Sequence, residues 1–266
     1  MNLNDEKVVE SKDKFFIKTI YLNLLGTESI NAIKKNIFLL KNISDNPGLS
    51  FPEKVHLQDE MLIIEYPLAQ FNLLDIVFKV SSDQITSITQ SLFSKLVSAV
   101  SWLHSRNYIH RSLCPEHILL FGKGRSVFDV KLCGTNTICK FLNNRNDLPH
   151  CIEEGHDLQN YRWSSPELLL QDFRGYNEKT DIFSLGLILL FLVSKNLPYP
   201  KSTETSTIFL DKITKKLKSW PCDRSVEEAI IAQSLEKDPS KRIGSEELME
   251  MEYIKDGLEK SLLIDF

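Results

Sequence analysis

Tyr108-Ile109-His110-Arg111-Ser112-Leu113-Cys114-Pro115-Glu116-His117-Ile118-Leu119-Leu120 is the stretch on which the reading of this chain turns. A polar loop, His110 to His117, runs straight into the apolar residues Ile118, Leu119 and Leu120. The loop holds two histidines, an arginine, a serine, a cysteine and a glutamate, but no Asp, Asn or Lys. Its meaning depends on what stands at matching distances on either side.

The chain has 266 residues, enough to bury a large core as one two-lobed unit or two small domains. Hydrophobic content of 42% and charged content of 26% are those of an ordinary globular protein. A net charge of −4 gives no basis for binding nucleic acid or an anionic membrane. Five cysteines, an odd number without a CxxC pair, argue against a disulfide framework and for a reducing cytosolic or nuclear compartment. The polar N-terminus, Met1 to Lys7, is no secretory signal. The longest apolar run, Ile182 to Val193, is shorter than the roughly 20 residues of a membrane span and reads as a buried core helix.

Lys14 to Leu22 is rich in β-branched and aromatic residues and predicts a strand. Ile30, Ile33, Ile37 and Leu40 recur at helical spacing and predict a helix over Glu28 to Ile43. Met61 to Ile64 is a short apolar strand that Pro67 stops after Glu65 and Tyr66. Ser82 or Asp83 caps the next helix, whose apolar stripe is Ile85, Ile88, Leu92, Leu96, Ala99 and Leu103. A small strand-rich part thus precedes a larger helical one.

Further motifs stand around the loop in a fixed order. Phe15-Phe16-Ile17-Lys18 lies in the first strand, and Val130-Lys131-Leu132-Cys133-Gly134-Thr135-Asn136 follows the loop. Ser164-Ser165-Pro166-Glu167, Asp181-Ile182-Phe183-Ser184-Leu185-Gly186, and Asp238-Pro239 with Arg242 come later. Together they resemble the protein-kinase pattern of V-A-I-K, H-R-D-L-K-P-E-N, D-F-G, A-P-E, D-x-W-S-x-G and D-P-x-x-R. The resemblance implies an α+β bilobal fold, with a small N-lobe over 1–66, a helical C-lobe over 67–256 and a C-terminal tail over 257–266. Glu65-Tyr66-Pro67 would be the hinge. It also implies that His110 and Arg111 frame the loop, that Asp181 holds its backbone, and that Glu167 and Arg242 form a buried ion pair. The fourteen residues before Phe15 contain no glycine, so the first strand and the glycine-rich loop are expected to be missing.

The same alignment removes the chemistry. Phosphoryl transfer needs a group on the hydroxyl, two metal-holding groups, a lysine on the phosphates and a glutamate on that lysine. Ser112 stands for the acid, Cys114 for the loop lysine, His117 for the metal-binding Asn and Gly134 for the metal-binding Asp. Asn36, four residues before Leu40, stands where the partner glutamate would be. Magnesium takes oxygen ligands, which neither imidazole nor glycine provides. Lys18 remains. Strand alternation puts Phe16 on its face, where a phenyl ring would occupy part of a nucleotide pocket otherwise lined by Glu65, Tyr66 and Leu119. The reading is a pseudokinase with no catalytic residues and no metal.

His110-Arg111-Ser112, Gly134, Trp163-Ser164-Ser165-Pro166-Glu167 and Gly175-Tyr176-Asn177-Glu178-Lys179-Thr180-Asp181 resemble the STRAD family of adaptor pseudokinases. That resemblance, running from about Phe15 to Tyr253, implies an activator of an LKB-type Ser/Thr protein kinase. It also implies a helical-repeat scaffold of the Mo-twenty-five type, bound through a C-terminal W-E-F. Here Ile264-Asp265-Phe266 keeps the order of an apolar residue, an acid and Phe. Family adaptors bind ATP without metal, and metal-free ATP is the one small ligand the resemblance leaves. Two other readings remain: a nucleotide-free interaction domain for an unrelated partner, and an atypical active kinase, which Lys18 alone favours.

Overall fold

The computed structural model describes residues 7–12, 15–123, 126–140, 162–169, 177–197 and 225–265. Its first part is an antiparallel sheet of β1 (Lys7–Lys12), β2 (Phe15–Tyr21), β3 (Lys54–Gln58) and β4 (Met61–Pro67), in the order β1-β2-β4-β3. β1 corrects the expectation that no strand precedes Phe15. It lies along β2 from Lys7 opposite Ile20 to Lys12 opposite Phe15, because the hydrogen-bonding edge of β2 needs only an extended backbone beside it and no glycine. β3 has no counterpart among the expected elements. As an edge strand exposed at all five positions, it carries no alternation of buried and exposed residues. Helix α1 (Thr27–Asn42) joins β2 to β3 and buries Leu40 at its end, with Ile43 just beyond.

The second part is mainly helical. Asn72 caps α2 (Leu73–Lys79), its side chain accepting from the Asp75 N–H. Ser81, rather than Ser82 or Asp83, caps α3 (Ser82–Ser105). Its backbone is extended and its hydroxyl accepts from the Gln84 N–H at 3.3 Å, which is what a cap requires. The expected α3 stripe, from Ile85 to Leu103, is buried throughout. Helices α4 (Pro166–Leu169), α5 (Lys179–Ser194), α6 (Val226–Ser234), α7 (Ser245–Glu250) and α8 (Glu252–Glu259) follow. The apolar run Ile182 to Val193 lies inside α5, packed against α3 and α6, with Val193 itself exposed.

A second sheet runs β10-β8-β7-β5, from β5 (Phe71–Asn72), β7 (Ile118–Gly122), β8 (Val127–Leu132) and β10 (Leu262–Leu263). A third pairs β6 (Tyr108–Ile109) with β9 (Cys139–Lys140). The core is continuous from Leu40 and Ile43 to Ile264, so the step at 66–67 interrupts the chain's character but not its packing. A clip reinforces it: the Leu132 N–H donates to the Gly48 carbonyl, and the Ser50 N–H to the Leu132 carbonyl, both at 2.8 Å.

Residues 257–265 are not a tail apart from the fold. β10 extends the β7–β8 hairpin, Ile264 is wholly buried, and its N–H donates to the Ser126 carbonyl at 2.9 Å. Ser126 in turn donates to the Asp265 carboxylate at 2.6 Å, and Gln84 to the Asp265 carbonyl at 2.8 Å.

Candidate functional site

The loop His110–His117 connects β6 to β7, and Asp181 at the head of α5 holds its first two residues. One Asp181 oxygen accepts from the His110 N–H and the other from the Arg111 N–H, both at 2.8 Å. These bonds keep Arg111 at φ 67, a left-handed conformation that costs a non-glycine residue energy unless its surroundings enforce it. His104, which sequence reading missed, bridges Asp181 at 2.9 Å and the Ser245 hydroxyl at 3.0 Å. Burial alone would raise the Asp181 carboxyl. The hydrogen bond and charge of His104, with His110, outweigh that and hold it below the usual carboxylate range.

His110 is itself fully buried, and burial pushes its imidazole down to about 4 despite the opposing pull of Asp181. It is therefore neutral. Its Nε2 meets the Cys133 carbonyl at 2.8 Å and so carries the proton, while Nδ1 accepts from the Ser112 N–H at 3.3 Å.

The positions that would carry chemistry are packed instead of charged. Cys114 is buried in the core, and burial pushes its thiol well above the ordinary range. The His117 imidazole donates from Nδ1 to the Ser112 carbonyl at 2.6 Å, with the Ser112 hydroxyl 3.3 Å from the same nitrogen. Gly134 has φ +79, and a Cβ added there would lie 2.6 Å from His117 Nδ1. The imidazole thus fills the space that a side chain at 134 would need. No carboxylate comes from Ser112, Cys114, His117 or Gly134, and the slot between the last two is taken, so these residues do not fit a magnesium ion.

The segment after Gly134 is tied on several sides. Thr137 donates to the His110 carbonyl at 2.8 Å, and Arg111 Nε donates to the Thr137 carbonyl at 2.6 Å. Asn36 on α1 donates to the Thr135 carbonyl at 3.2 Å. Asn36 was expected to be an uncharged gap; it is a tether across the cleft.

The upper wall is β2 and β4. Lys18 lies opposite Ile64, and Phe16 opposite Tyr66, on one face of the sheet. The Phe16 ring meets Tyr66 edge-on, with centroids 6.4 Å apart. Burial, with the neighbouring Cys133, pushes the Tyr66 phenol up to about 12. Glu65 pairs with Lys54 at 3.2 Å, and its carbonyl accepts from the Glu53 N–H at 2.8 Å. Leu119 is half-buried on β7, opposite Lys131.

Below the loop, Arg242 grips Glu167 in two parallel bonds of 2.7 and 3.0 Å, with Arg242 fully buried. The Thr180 hydroxyl adds a third bond to Glu167 at 3.0 Å, and Ser184 fastens the Trp163 carbonyl to α5 at 2.6 Å. The sequence-predicted residues His110, Arg111, Ser112, Cys114, His117, Gly134 and Asp181 thus come together around one loop.

The expected partner anchor at Ile264 is corrected. Its side chain already belongs to this chain's core, held there by the β10–β8 ladder. Phe266, the other apolar residue of that expected motif, lies outside the described residues.

Comparison with known proteins agrees with this geometry. The protein kinase domain model matches residues 6–254. The chain belongs to the protein kinase domain family. Among curated kinase-domain proteins it is 33% identical over 131 residues to the STE20-related kinase adapter protein strd-1 of Caenorhabditis elegans, covering 48% of this chain and 32% of that one. It is 22% identical over 250 residues to the mouse STE20-related kinase adapter protein alpha, covering 92% of this chain and 55% of the relative. The serine/threonine-protein kinase kin-29 of C. elegans is 28% identical over 196 residues, 73% of this chain and 22% of its own. The chain therefore spans from about a third to just over half the length of these adapter relatives. Among the described residues, no helix of this kinase domain is long and apolar enough to cross a membrane.

Proposed function

We propose that this kinase domain does not transfer phosphate and instead acts as an adaptor that binds and activates a partner Ser/Thr kinase of the LKB type. The observation that carries this is the imidazole of His117 seated against Gly134, with the loop frame intact around it. The frame preserves a kinase shape, whereas the two positions that would hold metal have become one packed contact. Its similarity to STE20-related kinase adapter proteins supports the adaptor half.

Nucleotide plays no part in this reading. Phe16 meets Tyr66 edge-on on the face of β2 and β4 that a nucleotide would use. Pro67 has no N–H to offer a base, and the Glu65 carbonyl already has a donor. Metal-free ATP would have to compete with these contacts. Calorimetry with ATP, with and without magnesium, is expected to show no tight binding and no gain from the metal.

The test of function has two arms. Loss of a positioned acid or base alone costs about 10²–10⁴ in rate, so no sustained ATP turnover is expected with magnesium or manganese. Turnover that vanishes in Lys18→Met would refute the inactive reading. In the second arm, the chain is mixed with an LKB-type kinase and a Mo-twenty-five-type scaffold. A rise in the partner's activity supports the adaptor role, and no rise with no co-purification removes it. The scaffold's share is read with Leu263→Glu. Leu263 is 54% exposed beside the buried Ile264, so the change spares the core. Unchanged scaffold binding would detach the terminal segment from that role.

A further inference from the structure

In active kinases the strip after the D-F-G position is set by a metal-bound Asp, and the helix above by a Lys–Glu ion pair. This chain positions the same pieces with hydrogen bonds to backbone carbonyls. From α1, Asn36 reaches the Thr135 carbonyl, 99 residues away in sequence. From the loop, Arg111 reaches the Thr137 carbonyl and Thr137 returns a bond to the His110 carbonyl. At the base of the strip, the Cys133 N–H donates to the His117 carbonyl at 2.8 Å, and His110 Nε2 meets the Cys133 carbonyl at 2.8 Å. Further on, β9 pairs with β6, Ile109 opposite Cys139. Thr135, Ile138 and Cys139 are all buried.

We propose that residues 133–140 form a latch that needs neither nucleotide nor metal, with Asn36, at the place of the kinase glutamate, as its positioning residue. The inference rests on the inactive reading above and concerns how that site is regulated. A kinase-like cleft that depended on a ligand would change shape with ligand supply. Here Asn36, Arg111, Thr137 and His110 supply bonds that do not need a ligand to form, so on this proposal the surface presented to a partner does not vary with ligand supply. The Asn36 amide is suited to the task. It donates to a carbonyl without bringing a charge into a part-buried position, and an unpaired charge there would cost more than the bond returns.

The test is hydrogen exchange by mass spectrometry on the full chain, in buffer and in millimolar magnesium-ATP, for wild type and Asn36→Asp. The isosteric Asp keeps the size but turns an acceptor toward the Thr135 carbonyl. Amides of 134–140 are expected to be protected without ligand and unchanged by magnesium-ATP. In Asn36→Asp they should exchange about tenfold faster, the equivalent of losing one part-buried hydrogen bond, while amides of 183–192 in α5 stay as in wild type. Three results would overturn the proposal: a strip that exchanges like an open loop without ligand, protection that requires magnesium-ATP, or an Asn36→Asp effect that is absent or equally large in α5. Activation of the partner kinase is read in parallel. An unprotected strip with an activated partner removes the latch and leaves the adaptor reading standing. A protected strip with no activation does the reverse.

Discussion

Two faces of the same loop have had opposite fates. On the Asp181 face, a buried carboxylate collects two backbone N–H groups and a histidine, and a buried arginine grips Glu167 with its two terminal nitrogens. On the Gly134 face, where a kinase holds metal, there is a glycine, an imidazole and a serine hydroxyl, joined by packing and one short bond to a carbonyl. The first face carries charge at full burial and the second carries none from its side chains at 112, 114 and 134. The difference teaches that shape and chemistry in this fold are held by separate groups. Charge survives where it fixes backbone, and disappears where its use was to hold a ligand.

That contrast is most severely strained by Glu167→Ala. It leaves the fully buried Arg242 unpaired, and breaking one side of a buried pair costs about 3–5 kcal/mol. A urea titration reads it as a lower midpoint. A midpoint within error of wild type would show that the pair contributes nothing to the frame.

Acid attacks the same face by a different route. His110 has a folded pKa of about 4 against 6.5 unfolded, so between those values the unfolded chain binds the extra proton. Its contribution is complete above the unfolded value and is lost as pH falls toward the folded one, about 3 kcal/mol in all. Asp181, held below the usual range, adds a further loss only at still lower pH. Denaturant titrations from neutral pH to pH about 4 should show this slope in wild type and a shallower one in His110→Asn.

On the other face, Gly134→Asp returns the missing metal ligand into a slot already taken and into a left-handed backbone. A loss of about 2 kcal/mol is expected, in the range of a strained or overpacked site. Adding His117→Asn should return about 1 kcal/mol of it as coupling between neighbours. Strict additivity of the two changes would mean that they do not share the slot.

The smallest effect belongs to Ser112→Asp. The side chain is half-exposed, so stability should move by less than about 0.5 kcal/mol. No phosphate transfer should appear in a radiolabelled-ATP assay, because the metal face stays shut. Measurable transfer would show that the acid alone was missing.

The frame was legible in the sequence because its residues are contiguous or carry rigid spacing. His110-Arg111, Asp181 and the Glu167–Arg242 pair all sit where motif order put them. What escaped notice was long-range or unpatterned. The fit of His117 to Gly134 joins two positions that each look like a simple loss when read alone. Asn36 was legible only as the absence of a charge, since nothing local shows that its amide meets Thr135. His104 lies at the end of α3, where a histidine reads as an ordinary terminal residue until Asp181 folds against it. β3 escaped because its alternation of Val55 and Leu57 with polar neighbours is only five residues long and marks no buried face. The terminal segment was misjudged because a two-residue strand is too short to leave a pattern, and only the β8 edge makes Ile264 a core residue.

The contact between Gly134 and His117 also imposes an order on history. With any side chain at 134, an imidazole at 117 meets an atom at about the distance of a clash, and its bond to Ser112 leaves it little room to retreat. From an ancestor bearing the usual Asp and Asn, the route through glycine at 134 first is open, and the route through histidine at 117 first is obstructed. The way back is obstructed as well, because restoring the acid alone recreates the collision. The pair works as a ratchet: with both residues in place, an acid at 134 is admitted only once the imidazole at 117 has gone.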